Sequence, residues 1–571
     1  MEVKENLPQK LMVLIALIQG LCLLFLHQAI EIGFWPNHQP QWLFALYSVA
    51  FIWPIMLLLS LKPGNSAAVV KYTAPFALLS AVLGYYVGSQ ATPIEHVRYD
   101  SLLFGYVFTM LIATFKALMY SQQMASGEGL SYSALFRWSW RNFLTVALAL
   151  LFAGSFWMIL MLWGALFNAI GIRFFRDLFQ DPWFYYPAIA LANGFGVVIF
   201  RRMTHVIDTI TRLQQALMKF LLVVLVLVSI LFLFALPFTG LDPLWESGGS
   251  ALILWMQALM LFFVNAVYQD HPDQRPYSLW LHRFIYFGIA LLPIYSAISF
   301  YGLSLRVDQY GWSIDRCWAF LVWFLLALFP LGYWWGIAKR RDNWLVQLSS
   351  VNVAVGLVVL AAMLLINSPL LDFRKIVASD QLERIADNKI DIDTLDVYYF
   401  RSKLARPGYE ALMKIKEEYG ETHPALVLRI DQSYQNHRSS EPASKKEDFL
   451  AALKVLSGQP SQTLLTAIYE QESKNSWKLR DTRQFYLKPV DLNQDGEEDY
   501  LLVARRLNYI DVKVYYYKDE RWQSKYLSAS QLIHGDQQQD FIDALTSGEI
   551  ILKQPEWQIL EISGAEFSVQ D

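Results

Sequence analysis

The chain has 571 residues, of which 55% are hydrophobic, 15% aromatic and only 17% charged, with a formal net charge of −3. This balance is too apolar for a single soluble enzyme of this length, and it argues against a fibrous protein and against a nucleic-acid binder with a basic face. The two cysteines, Cys22 and Cys317, lie in apolar runs, so a disulfide framework and a thiolate metal site are excluded.

The charged residues divide the chain into two physically different parts. The first 369 residues contain 37 charged side chains, whereas the remaining 202 residues contain 60. The proportion of charged residues in the second part is typical of a solvated domain. We therefore predict a transmembrane helical domain at 1–369, a helical post-membrane segment at 370–440 and a soluble α+β domain at 441–571.

Eleven stretches of the first part are apolar enough to cross a bilayer, which takes about 20 residues per helix. The sixth stretch is short and contains Pro187, Asn193, Gly194 and Gly196. A re-entrant segment is the alternative there, and it would invert the side on which the C-terminus lies. The predicted spans are Leu11–Glu31, Trp42–Leu61, Val69–Ser89, Ser101–Tyr120, Asn142–Phe167, Phe184–Phe200, Gln215–Phe238, Ser250–Tyr268, Leu281–Tyr301, Ser313–Gly336 and Leu345–Ile366.

Basic residues are distributed unevenly over the loops between these spans. With the N-terminus inside, 16 Lys and Arg residues lie on the cytoplasmic side and five on the other side. Cytoplasmic loops retain Lys and Arg. We therefore predict a multi-pass protein of the bacterial inner membrane, surrounded by the lipid bilayer, with a cytoplasmic N-terminus and a periplasmic C-terminal domain.

Beyond the last span the chain turns polar, and its periodicity is first helical and then strand-like. Helical spacing occurs at 379–388 and 408–418, and a short helix is predicted over 448–456 after an exposed linker at 437–447. The fold class is therefore a polytopic α-helical membrane protein of about 11 transmembrane helices, followed by a soluble α+β domain with a small antiparallel sheet. The predicted strands are Gln484–Val490, Asp499–Arg505, Tyr509–Lys518 and Trp522–Leu527.

An acidic loop connects the first two of these strands, and residues 491–499 have the sequence DLNQDGEED. Calcium needs six to eight oxygen ligands, and side chains at positions 1, 3 and 5 of a tight loop can converge on one ion when Gly at position 6 permits the turn. Position 12 is Leu502 rather than Glu, and strands flank the loop, so an EF-hand is excluded. The predicted metal ligands are Asp491, Asn493, Asp495, Glu497 through its carbonyl, and Asp499.

The loop resembles the calcium loop between two strands of FG-GAP and integrin-type repeats, in a single copy. The resemblance implies calcium as a cofactor of the C-terminal domain. The alternative interpretation is a solvated acidic hairpin turn without a metal.

Two further motifs resemble a known family. Residues 306–316, between the ninth and tenth spans, have the sequence RVDQYGWSIDR, and the segment after the last span contains LDVYYFR at 395–401 and RPGYEAL at 406–412. In this order, and after many apolar helices, they resemble the DUF4153 family of bacterial polytopic membrane proteins over roughly the first 420 residues. Tyr399 stands where the family segment has Leu. The family has no established activity, so the resemblance implies architecture and location.

The loop at 306–316 is the most unusual polar cluster on the predicted outer side. Its arginines suit an anionic headgroup or acidic groups of the tail. The alternative interpretation is an ordinary connection between helices, with Ser313 or Asp315 at the start of the second helix. The candidate residues for an anion or interdomain contact are Arg306, Asp308, Tyr310, Arg316, Tyr398, Tyr399 and Arg401.

Polar groups within the spans are few. No carboxylate lies near a span centre, as a proton-coupled transporter usually requires. Lys116 lies near one end of its span, where snorkelling explains it. We expect Asn193, Asn265 and Asn352 to form hydrogen bonds between helices.

The sequence contains none of the common phosphate-binding, dinucleotide-binding or hydrolase motifs. We therefore expect a non-enzymatic inner-membrane protein that anchors a periplasmic calcium-binding module for recognition, sensing or assembly, with a periplasmic or envelope protein as partner and no nucleic acid. The alternatives are a permease for a small solute or lipid and a membrane-embedded enzyme acting on a lipid-linked substrate.

Overall fold

The computed structural model of the chain forms two compact units, Met1–Val427 and Leu428–Asp571. The predicted linker at 437–447 lies outside the described residues. The structure describes residues 7–127, 129–240, 250–268, 276–340, 344–435, 449–450, 453–473, 482–492, 496, 498–506, 510–518, 521–527, 537–547, 560–562 and 565–567.

The first unit is a bundle of long helices. In the part of the chain that the structure describes, ten helices are long and apolar enough to cross a membrane, and an eleventh, at Ser250–Val267, is apolar but shorter. The predicted polytopic helical architecture is therefore confirmed. The helices are α1 Gln9–Ile32, α2 Pro40–Ser60, α3 Ser66–Ser89, α4 Asp100–Ala125, α5 Tyr132–Ala169, the short α6 Phe174–Gln180, α7 Pro182–Arg202, α8 Thr204–Thr239, α9 Ser250–Val267, α10 Leu279–Tyr310, α11 Ile314–Arg340 and α12 Leu345–Leu365.

The sixth predicted span is one continuous helix, α7, in spite of its proline and glycines. A Cβ added at Gly194 would lie 2.5 Å from the Cβ of Ala16 on α1, and a Cβ added at Gly196 would lie 3.0 Å from the Cα of Ala149 on α5. Small residues that allow close helix approach are typical of membrane bundles. These glycines therefore mark helix contacts, and they do not break the span.

The bundle exposes apolar side chains on its outside. Phe238 is 89% exposed, Leu213 75% and Trp255 73%. Soluble proteins do not expose contiguous apolar surface on this scale, whereas lipid solvates it. The first unit is therefore built for a bilayer.

Polar side chains are found inside the bundle, where they join helices to one another. The Oδ1 of Asn265 on α9 accepts hydrogen bonds from the Nδ2 of Asn352 on α12 at 2.6 Å and from the hydroxyl of Tyr333 on α11 at 2.8 Å. The predicted interhelical role of these two asparagines is confirmed. Asn265, Asn352 and Tyr333 find these partners on other helices, because the lipid offers none.

Four short helices follow the bundle. Asp372 caps the first of them, since its carboxylate accepts a hydrogen bond from the backbone nitrogen of Arg374 at 3.0 Å. Asp396 caps the second in the same way, through the backbone nitrogen of Tyr399 at 2.9 Å. These helices are α13 Phe373–Ala386, α14 Val397–Lys403, α15 Ala405–Tyr419 and α16 Pro424–Gln435.

The second unit contains a five-stranded sheet in the order β1-β2-β3-β4-β5. The four predicted strands are confirmed, and they pair antiparallel in sequence order. The predicted helix over 448–456 is wrong at its C-terminal end, because Leu453–Val455 forms an edge strand parallel to β2. The strands are β1 Leu453–Val455, β2 Thr482–Val490, β3 Asp499–Arg506, β4 Ile510–Lys518, β5 Arg521–Leu527 and a separate hairpin of β6 Leu560–Ile562 with β7 Ala565–Phe567.

Successive side chains of each strand point to opposite faces of the sheet, so the apolar residues form two cores, one on each face. On one face, Leu487 and Tyr515 pack against Leu464 and Ile468 of helix α17, Gln462–Ser473. On the other face, Tyr486 and Val503 pack with Ile542 and Leu545 of helix α18, Gln537–Ser547. The sheet is therefore the middle of three layers.

A buried ion pair crosses the first of these cores. Lys513 on β4 donates to Glu472 on α17, and the Tyr515 hydroxyl donates to the same carboxylate oxygen at 3.3 Å. Burial first, and then the Glu472 carboxylate, raise the pKa of Tyr515 above its usual range.

Candidate functional site

The loop singled out at 306–316 is mostly helical. The first part of it, with Arg306, Asp308 and Tyr310, belongs to the last turns of α10, and Gly311 with φ of +72° follows the end of that helix. The guanidinium carbons of Arg306 and Arg316 lie 5.9 Å and 5.4 Å from the centre of the Tyr310 ring. Two cations thus share one aromatic ring.

Arg316 also binds the end of α10. Its Nη1 donates to the Gly311 carbonyl at 2.7 Å and to the Tyr310 carbonyl at 3.3 Å. A cation that donates to the last carbonyls of a helix stabilises the helix end. Ser313 accepts from the backbone nitrogen of Arg316 at 3.3 Å, which is an N-cap contact for α11.

Side chains of helix α13 bind the backbone of this loop. The Asp380 Oδ2 accepts from the Trp312 nitrogen at 2.8 Å, and the Gln381 amide donates to the Trp312 carbonyl at 3.1 Å. Arg384, one turn further, donates to the Gln309 carbonyl at 3.1 Å. Sequence reasoning missed these three residues, although their i, i+1, i+4 spacing puts them on one face of the helix predicted there.

Of the three candidates after the last span, Tyr399 reaches the loop. Its hydroxyl accepts a hydrogen bond from the Ile314 nitrogen at 2.9 Å, and burial raises the pKa of Tyr399. Tyr398 is exposed and Arg401 is buried. The loop and the post-membrane segment therefore meet, chiefly through backbone groups of the loop.

The short helices also bind the end of α3 and the start of α4. The Asp372 carboxylate, which is buried, accepts from the Tyr86 hydroxyl at 2.9 Å and forms an ion pair with Arg374 at 2.8 Å. The Ser101 hydroxyl donates to the Ser402 carbonyl at 2.9 Å. One group of helices, α13 to α15, thus contacts the end of α3, the start of α4 and the end of α10, and it follows the end of α12 directly in the chain. We call this group the cap.

The opposite end of the bundle is held by a buried arginine. Arg201, at the end of α7, donates to the carbonyls of Leu58 at 2.6 Å and Leu61 at 2.8 Å, at the end of α2. Nearby, the Gln122 amide of α4 donates to the Leu59 carbonyl at 3.1 Å. The ends of α2, α4 and α7 therefore meet at the end away from the cap.

The predicted calcium loop closes the hairpin between β2 and β3, where Val490 pairs with Asp499. One carboxylate oxygen of Asp491, Oδ2, accepts from the Gly496 nitrogen at 3.1 Å, and Gly496 has φ of +84°. The other oxygen, Oδ1, is buried without a hydrogen-bond donor among the described residues. Asp499 is buried, and its Oδ2 accepts from the Leu492 nitrogen at 3.3 Å.

The remaining predicted ligands, Asn493, Asp495 and Glu497, lie outside the described residues. Within the residues that are described, no group of three or more His, Cys, Asp and Glu side chains is placed to hold a metal ion. Asp491 and Asp499 are therefore the two members of the predicted set whose geometry is defined.

Neither a search of curated proteins nor a search of solved structures found a match to this chain. A scan against protein families matched residues 14–415, which include almost all of the bundle and of the cap, to the family described as "Domain of unknown function (DUF4153)". The match covers well over half of the chain, and this protein therefore belongs to the DUF4153 family.

Proposed function

We propose that this protein is a non-enzymatic protein of the bacterial inner membrane, and that its helical unit anchors a calcium-binding unit in the periplasm for recognition, sensing or assembly with an envelope protein. The observation that carries the calcium proposal is the carboxylate of Asp491. One of its oxygens holds the Gly496 nitrogen and so fixes the turn, while the other is buried without a donor among the described residues. A buried carboxylate oxygen is costly unless a cation or a donor satisfies it.

The sequence of the loop supplies the rest of the ligand set. Asn493, Asp495 and the carbonyl of Glu497 stand at positions that converge on calcium in loops of this type. The buried Asp499 begins the next strand, so it lies on a rigid element beside the loop. Oxygen ligands without nitrogen or sulfur favour a hard cation.

The periplasmic location is supported by the arrangement of the helix ends. The ends of α3, α10 and α12 meet the cap, so an even number of crossings separates each of them from the next. This is expected if the ten long helices and the shorter α9 all cross the membrane. The opposite end has Arg201 and the basic residues counted as cytoplasmic, such as Arg141, which donates to the Arg201 carbonyl at 3.3 Å. Basic residues favour the cytoplasmic side.

The enzyme alternative has less support. It requires acidic and basic side chains that face a common space at the outer edge. Arg316 instead donates to two backbone carbonyls, and Asp380 accepts from a backbone nitrogen. These groups support a structural joint between the α10–α11 loop and the cap.

The calcium proposal is tested by titrating the purified full-length protein in detergent with Ca²⁺ and with Mg²⁺ in a calorimeter. We expect calcium binding with a Kd of roughly 10⁻⁴ to 10⁻³ M and poor binding of magnesium. Asp491→Asn keeps the shape of the side chain and removes its charge, so it is expected to abolish binding. Glu470→Gln, on the exposed surface of α17, is the matched control. Equal heats for the wild type and Asp491→Asn would refute the proposal.

A further inference from the structure

A cavity of about 470 Å³ lies within the first unit, between helices α4, α5, α8, α9, α11 and α12. Its volume is in the range of small-molecule sites. Phe136, Trp140 and Phe262 form part of an aromatic wall, while Asn265, Ser139 and other polar groups line the remainder. The cavity is therefore amphipathic, and it lies among helices that cross the bilayer.

Lys116 on α4 is the one charged side chain on the lining that the structure describes. No Asp or Glu lies among these lining residues, and Lys116 has neither an ion pair nor a hydrogen bond to any described residue. It stands nine residues before the end of α4 at Ala125, which is about 13 Å along the helix axis. A lysine at this depth without a counter-ion is costly and marks a functional site.

Tyr120 and Gly356 lie beside Lys116. A Cβ added at Gly356 of α12 would lie 3.9 Å from the Lys116 Nζ and would overlap the Tyr120 hydroxyl. Tyr120 itself donates to the Val353 carbonyl at 2.8 Å. The Tyr120 hydroxyl therefore fills the space beside Gly356 and is bound within the bundle, whereas the Lys116 ammonium can donate to an anion in the cavity that both residues line.

We propose that this cavity binds an anionic amphiphile, in which a phosphate or carboxylate headgroup pairs with Lys116 and the apolar chain lies against the aromatic wall. A charge-assisted hydrogen bond supplies the recognition of the headgroup. The aromatic side chains supply apolar contact area for the chain. Free phosphate carries the same anionic group as such a headgroup. The apolar chain of the amphiphile is what distinguishes it from free phosphate.

The test measures binding to the purified full-length protein in detergent by native mass spectrometry. Three probes separate the sources: 1-oleoyl lysophosphatidic acid, the uncharged 1-oleoylglycerol, and inorganic phosphate. We expect the first probe to bind at least about tenfold more tightly than the uncharged lipid, because a hydrogen bond to a charged group contributes about 1.5–3 kcal/mol. We expect the same margin over phosphate, because phosphate lacks the apolar chain that contacts the aromatic wall. Equal binding of the uncharged lipid, or equal binding of phosphate alone, would overturn the proposal.

Substitutions then locate the site. Lys116→Met is expected to weaken lysophosphatidic acid binding about tenfold or more, while Lys116→Arg keeps most of it. Lys71→Met, on the exposed surface of α3, is the matched control and is expected to change nothing.

The proposal is overturned if folded Lys116→Met binds lysophosphatidic acid as tightly as the wild type. If Lys116→Met does not fold, the comparison of the three probes on the wild type decides the question.

Discussion

Asp380 accepts a hydrogen bond from the backbone nitrogen of Trp312 at 2.8 Å and so joins two positions 68 residues apart in the chain. The acceptor lies on the first helix after the bundle, and the donor lies in the loop between two membrane helices. The contact leaves no room for a side chain at Gly311, because a Cβ there would lie 2.7 Å from both the Asp380 Oδ2 and the Arg384 Cδ. The joint between bundle and cap therefore depends on a glycine.

The first prediction is that Gly311→Ala destabilises the protein more than Gly33→Ala does. Both glycines have positive φ, +72° and +81°, so both substitutions carry a backbone cost of about 1–2 kcal/mol. Nothing lies within 4 Å of a Cβ at Gly33, whereas the Cβ at Gly311 displaces Asp380 and Arg384. Thermal unfolding of the two variants in detergent measures the difference. Equal losses of stability would contradict the described joint.

The second prediction compares two neighbouring tyrosines. Tyr399→Phe removes the acceptor of the Ile314 nitrogen and is expected to cost about 1 kcal/mol, because a partly buried donor loses its partner. Tyr398→Phe alters an exposed side chain and is expected to stay within about 0.5 kcal/mol of the wild type. Hydrogen exchange at the start of α11 provides the local measurement. Unchanged protection of that segment in Tyr399→Phe would count against the contact.

The third prediction concerns the buried pair of Lys513 and Glu472. Lys513→Met leaves a buried carboxylate without its cation and is expected to destabilise the second unit by about 3–5 kcal/mol, and adding Glu472→Leu should restore part of the loss. Lys389→Met breaks an exposed pair with Asp387 and is expected to cost less than about 1 kcal/mol. Hydrogen exchange in β3 and β4 reports on the second unit separately. No rescue by the second substitution would show that the carboxylate is not the source of the loss.

Much of the fold could be predicted from the sequence because its signals are local. The spans are runs of apolar residues, and the strands of the second unit alternate apolar and polar residues. Each element can therefore be recognised from a window of about 20 residues. Leu453–Val455 was misassigned because three residues carry no periodicity of their own and become a strand by pairing in parallel with β2. A partner that lies 32 residues away in sequence leaves no local trace.

The candidate contacts were predictable only in part, for a related reason. The loop at 306–316 stood out because arginines are scarce on the predicted outer side. Asp380, Gln381 and Arg384 did not, because a polar helix face looks the same whether it meets water or a neighbouring loop. Lys116 was explained by snorkelling, and the cavity beside it is formed by six helices that only the tertiary structure brings together.

The last prediction concerns the sides of the membrane. Since the ends of α3 and α12 both meet the cap, alkaline phosphatase inserted after Ala91 and phosphatase fused after Asp571 are expected to behave alike, whatever the absolute orientation. The positive charge at the opposite end predicts that both are active, because the enzyme works only after export, and that an insertion after Gly64, between α2 and α3, is inactive. Immunoblots control for stable expression of each fusion. Activity at Ala91 without activity at Asp571 would mean that an odd number of crossings lies between them, and it would contradict the even number that the shared cap requires.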